Sequence, residues 1–117
     1  MGRLTTHVLD TAAGRPAAGV GIALYRLDGE VRTSLVRTCT NADGRVEAPL
    51  LEGPAFAAGV YELHFAIGDY YAAQGQVLPE PRFVDVVVLR FGVSDASAHY
   101  HVPLLVTPWS WSTYRGS

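Results

Sequence analysis

Along most of this chain apolar and polar residues alternate, in short runs broken by Gly, Pro, Asn and Asp. A period of two marks strands with one buried face. The run 99–106 (HYHVPLLV) is the clearest. Tyr100, Val102, Leu104 and Val106 form an unbroken apolar row, the natural core side. His99, His101, Pro103 and Leu105 take the other side. Past the Thr107-Pro108 turn, Trp109, Trp111 and Thr113 alternate with Ser110, Ser112 and Tyr114. The bulky tryptophans are expected inside. Ser110, Ser112 and Tyr114 are then predicted to share the outward face with the histidines. Imidazoles, hydroxyls and a phenol together suit chemistry better than simple solvation, so this is the predicted working face.

The other runs are read the same way. In 3–10 (RLTTHVLD), Leu4, Thr6 and Val8 alternate with Thr5, His7 and Leu9. Both faces carry an apolar group, so periodicity does not decide which is buried. Asp10 is read as opening a polar turn with Gly14, Arg15 and Pro16. Segment 20–27 predicts a second strand, closed by the hairpin signal Asp28-Gly29-Glu30. Segment 31–40 predicts a third, with Arg32 and Arg37 solvated. Thr40-Asn41-Ala42-Asp43-Gly44-Arg45 predicts a tight turn, because Asn, Asp and Gly tolerate positive φ. Arg45 then opens a short strand, 45–48. In 60–67 (VYELHFAI), Tyr61, Leu63, Phe65 and Ile67 face in while Glu62 and His64 face out. Asp69 reads as the N-cap of a short helix over 70–75. Segment 82–91 is rich in β-formers and 92–98 is loop. Seven or eight short strands with one short helix predict an antiparallel β-sandwich.

Composition narrows the classes. At 117 residues, 49% of them hydrophobic and 17% charged, the chain is read as one domain over 1–117. It can bury roughly two thirds of its unfolded surface. A net charge of -2 with scattered cations argues against nucleic acid. No apolar run nears the roughly 20 residues of a membrane span. The chain enters a strand pattern at once, without a secretory signal, and its one cysteine, Cys39, has no internal partner. A cytoplasmic location is the expectation.

Several side chains invite function. A histidine between apolar neighbours, as His7 is, serves more often in structure than in catalysis. An arginine on a stiff turn, as Arg45 is, can grip a planar anion or carbonyl with its fork. His99-x-His101 with His7 is a conceivable zinc set, but no obvious carboxylate or cysteine completes it.

Three segments carry a more specific signal. Leu4-Thr5-Thr6-His7-Val8-Leu9-Asp10, Thr40-Asn41-Ala42-Asp43-Gly44-Arg45 and Tyr114-Arg115-Gly116-Ser117 resemble the 5-hydroxyisourate hydrolases, transthyretin-like enzymes of urate breakdown. So does His99-Tyr100-His101-Val102-Pro103-Leu104-Leu105. The resemblance covers essentially the whole chain. Its most specific part is the terminal tetrapeptide, which separates the hydrolases from transthyretin, the hormone carrier of the same fold. It implies two four-stranded sheets with one short α-helix. It implies a homotetramer, a dimer of dimers with active sites in the channel between them. The implied reaction opens 5-hydroxyisourate to 2-oxo-4-hydroxy-4-carboxy-5-ureidoimidazoline without metal or organic cofactor. His7, Arg45, His101, Tyr114 and Ser117 are the implied site, with His99 and Arg115 as further candidate substrate contacts. On this reading His7 or His101 activates water, and the sequence does not choose between them. Arg45 steadies the developing oxyanion. A small-molecule carrier and a purely structural sandwich are the rival readings; neither explains the histidine-bearing face together with that ending.

Overall fold

The structure, a computed structural model, describes residues 1–116. Two sheets pack face to face. The first is ordered β2 (Arg15–Pro16), β1 (Arg3–Asp10), β8 (His99–Val106) and β9 (Trp111–Thr113). Short β5 (Leu51–Glu52) also pairs with β1. The second is ordered β4 (Val31–Cys39), β3 (Gly21–Asp28), β6 (Gly59–Ala66) and β7 (Val86–Val93). One α-helix, α1 (Ile67–Ala73), follows β6. The β-sandwich is as expected, with two differences: β5 makes the first sheet five-stranded, and β1 and β8 run parallel. Their connection is the whole second sheet rather than a hairpin, so nothing forces the antiparallel sense.

Alternation predicts the core correctly for β6 and β8. Tyr61, Leu63, Phe65 and Ile67 are buried, as are Tyr100, Val102, Leu104 and Val106. In β1 the ambiguity resolves with Leu4, Thr6 and Val8 inside. Thr5, His7 and Leu9 are left on the outer face of the first sheet, half-buried. Asp10 is not the start of a solvated turn. It is buried and accepts hydrogen bonds from the hydroxyls of Tyr70 and Tyr71, each at 2.8 Å, and from the N–H groups of Ala12 and Ala13. A buried carboxylate needs such partners, and these tie α1 to the end of β1.

Other expectations are corrected. α1 begins at Ile67, so Asp69 lies within the first turn and does not cap it; it pairs with Arg82 at 2.7 Å. Arg45 makes a single bridge to His7 and starts no strand. Glu62 is on the outer face of its sheet, yet it is buried beneath Arg32, His64 and Arg90, at 2.8, 2.9 and 2.9 Å. Arg32 is thus paired as well as solvated. Trp109 and Trp111 are 60% and 44% exposed. Trp111 does pair with core-side Val106. However, a gap of about 480 Å³ opens between β7 and β9, where the core would otherwise continue.

Candidate active site

The outer face of the first sheet carries the candidate site. The parallel register sets Arg3 beside His99, Thr5 beside His101 and His7 beside Pro103. On a pleated sheet Thr5, His7, His99 and His101 therefore project to the same side. Their polar atoms form a continuous chain. His7 Nδ1 and His101 Nε2 share a hydrogen bond of 2.7 Å. His101 Nδ1 meets Thr5 Oγ1 at 2.7 Å, and Thr5 Oγ1 meets His99 Nε2 at 2.9 Å. Both ring nitrogens of His101 are thus engaged, while His7 keeps Nε2 without a partner among the described residues.

A turn delivers Arg45 to this face. Asn41 organises it: its carbonyl accepts from Gly44 N–H at 2.9 Å, and its side-chain oxygen accepts from Asp43 N–H and Arg45 N–H. Gly44 sits at φ +70°, where an L side chain is strained, and a Cβ there would collide with the Val8 carbonyl oxygen. Glycine lets the turn lie flat on β1, where Val8 N–H donates to Gly44 O at 2.8 Å. Arg45 follows, bridged to His7, with an exposed guanidinium that makes no hydrogen bond among the described residues.

The chain's end closes one side. Beyond β9 the backbone returns along β8, and Gly116 N–H donates to His101 O at 2.7 Å. Tyr114 is carried to the rim. The resulting crevice holds about 530 Å³, with His7, His99, His101, Arg45, Glu47 and Tyr114 on its walls.

Not every expected residue is gathered here. Arg115 turns away and stacks its guanidinium over the Tyr100 ring, 4.0 Å from the centroid. Ser110 and Ser112 are also absent from the crevice. β9 pairs only with Leu104, Leu105 and Val106, at the far end of β8 from the histidines. Ser117 lies outside the described residues. Thr5 is the residue the sequence does not announce. Its shared parity with His7 was visible, but its place beside His101 follows from the parallel register.

Electrostatics favour neutral imidazoles. Burial, then the Arg45 cation, lowers His7 below the ordinary 6.5. Burial, then His7, Arg45 and His99, takes His101 down to about 4. Both rings are therefore uncharged at neutral pH, and each can donate and accept. Among the described residues no group of three His, Cys, Asp or Glu is arranged to hold a metal ion.

The HIUase/Transthyretin family model matches residues 4–116. The chain belongs to that family. A 5-hydroxyisourate hydrolase from Ralstonia nicotianae is 65% identical over 117 residues, all of both chains. The crystal structure of an (S)-allantoin synthase superposes with a TM-score of 0.94 at 48% identity, covering 99% of this chain and 44% of that longer one. Sea bream transthyretin, solved with thyroxine, gives 0.86 at 27% identity, covering 97% of this chain and 94% of its own. Within the family, this sequence is thus far more similar to a hydrolase than to that carrier.

Proposed function

We propose that this protein hydrolyses 5-hydroxyisourate, opening its ring to 2-oxo-4-hydroxy-4-carboxy-5-ureidoimidazoline. The observation that carries the reading is the 2.7 Å His7–His101 pair with the exposed Arg45 bridged to His7 beside it. A relative that is a 5-hydroxyisourate hydrolase at 65% identity supports it.

The geometry favours His7 as the base. His101 has no ring nitrogen to spare, and lowered to about 4 it is a weak proton acceptor. His7 presents Nε2 to the crevice. It takes a proton from water as the oxygen bonds to the attacked carbonyl carbon. It then returns a proton to the ring nitrogen as the C–N bond breaks. His101 fixes the tilt of the His7 ring, as a third group orients the base in hydrolytic triads. Arg45 takes the developing oxyanion in its fork. Tyr114 walls the flat substrate. Arg115, stacked on Tyr100, anchors the tail and does not touch substrate.

A lone subunit leaves this crevice open to solvent. Edge strands β7 and β9 also carry exposed apolar groups, Val86, Val88 and Trp111. Unpaired edges of this kind invite pairing with another chain, which supports a dimer of dimers that encloses the site. Cys39 is exposed and unbridged, in keeping with a reducing cytoplasm. Among the described residues no helix is long and apolar enough to cross a membrane.

The deciding assay generates 5-hydroxyisourate with urate oxidase and follows its absorbance. The protein is expected to hasten the decay in proportion to its concentration. Decay at the spontaneous rate refutes the proposal.

A further inference from the structure

Three hydrogen bonds in series constrain one another. Each takes one proton. A neutral His101 has a single ring proton for its two bonded nitrogens, and Thr5 has a single hydroxyl proton for its two. If His101 donates to His7, it must accept from Thr5, and Thr5 must then accept from His99. If His7 donates to His101, every bond runs the other way and Thr5 donates to His99. Only two proton orders satisfy the whole chain. Only the second leaves a lone pair on His7 Nε2, the ring nitrogen that has no partner among the described residues, on a side chain that lines the crevice.

From this we infer that Thr5 is a positioning residue which, with His99, sets the proton order of the histidine pair and relays a proton between His7 and His99. The inference rests on His7 acting as the base of the hydrolase. The relay balances. As His7 Nε2 takes a proton from water, its Nδ1 proton passes to His101 Nε2. The Nδ1 proton of His101 passes to Thr5 Oγ1, and the Thr5 hydroxyl proton passes to His99 Nε2. The positive charge comes to rest on His99. When His7 gives its Nε2 proton to the leaving nitrogen, the three shifts reverse, and no proton is gained or lost.

The chain is built for this. Its links are 2.7, 2.7 and 2.9 Å, and they join two strands held in register over eight residue pairs. The relay also spares His7 from holding a second cation beside Arg45, to which its backbone is bridged. Among the described residues, the other charged groups around the chain are Arg3 and Glu47 on the crevice wall and Arg115, which reaches the His99 carbonyl at 3.5 Å.

Thr5→Val keeps the side-chain shape and removes the hydroxyl, while Thr5→Ser keeps the hydroxyl. The expected result for Thr5→Val is a fall in kcat of about tenfold or more, with KM within about twofold, and for Thr5→Ser a recovery to within about threefold. Imidazole nitrogen NMR, which needs no substrate, should show defined ring tautomers for His7 and His101 in the wild type and in Thr5→Ser. It should show averaged ones in Thr5→Val. His99→Gln can still bond Thr5 but cannot carry the charge, so its kcat should fall likewise, and it serves if Thr5→Val does not fold. Full kcat in Thr5→Val or His99→Gln, or no recovery in Thr5→Ser, overturns the relay while leaving the hydrolase reading intact. If the wild type fails to hasten 5-hydroxyisourate decay, the hydrolase reading falls instead, and the nitrogen spectra alone decide the proton order.

Discussion

Two glycines share a backbone conformation and differ only in their neighbours. Gly44 and Gly14 both sit at φ +70°. An alanine at either place pays roughly 1–2 kcal/mol for the left-handed conformation. At Gly14 nothing lies within 4 Å of the new Cβ, so the effect ends there. At Gly44 the Cβ meets the Val8 carbonyl, with Pro16 Cβ at 3.1 Å and Ala17 N at 3.3 Å. The turn must lift off β1, and the 2.8 Å bond from Val8 N–H to Gly44 O is lost. An unsatisfied buried donor adds about 1–3 kcal/mol. Gly44→Ala should therefore cost about 2–5 kcal/mol and Gly14→Ala about 1–2. At roughly 4 °C per kcal/mol for a domain of this size, calorimetry should show Tm falling by about 8 °C or more against about 4–8 °C. The lifted turn also carries Arg45 away from His7. A displacement of about 1 Å in such a site can cost 100-fold, so kcat/KM for 5-hydroxyisourate should fall by about that factor in Gly44→Ala and hold in Gly14→Ala. Equal melting of the two variants, or a fully active Gly44→Ala, would refute the argument that the turn's close approach positions the arginine.

Arg45→Ala and His101→Ala should each lower kcat by about 100-fold or more while the circular dichroism spectrum and melting transition persist. The histidine pair works neutral and both pKa values are lowered, so kcat/KM should stay level through neutral pH and drop only below 6.5; a drop centred at or above 6.5 would contradict this. The same shifts act on stability. Between 6.5 and about 4 the unfolded chain binds protons that folded His101 refuses, so stability declines as pH falls through that window. Hydrogen bonding from Arg32, ahead of His64, holds Glu62 at about 2, so its contribution is present above 4.5 and fades as pH falls toward 2. Glu62→Gln should lower stability at neutral pH and flatten the acid limb of a denaturation series.

The sequence reveals what is periodic and hides what depends on register. The row Tyr100, Val102, Leu104 and Val106 identifies the core face of β8 by alternation alone, and so puts His99 and His101 outside. Nothing local shows that β8 lies parallel to β1, because that pairing joins residues 96 apart. Without it, Thr5 is one threonine among several. Burial of charge is equally hidden. Asp10 and Glu62 look like surface residues until the donors that reach them, from α1, β4 and β7, are in place. The tryptophans mislead because size suggests burial, whereas Trp109 lies in the turn before β9 and Trp111 borders the gap between β7 and β9. Arg45 was legible as a poised cation from its turn. That it faces His7 required the turn to be seen lying on β1.

The side-by-side placement of the first long strand and the last has a consequence for synthesis. The hairpin of β3 and β4 can form as soon as its residues leave the ribosome. The opening strand waits with one edge bare until nearly all of the chain has followed it. A polypeptide that lacks β8 cannot assemble the histidine cluster, and it leaves a sticky ribbon at β1. The register that aligns the three histidines and Thr5 is thus among the last features of the sandwich to be set.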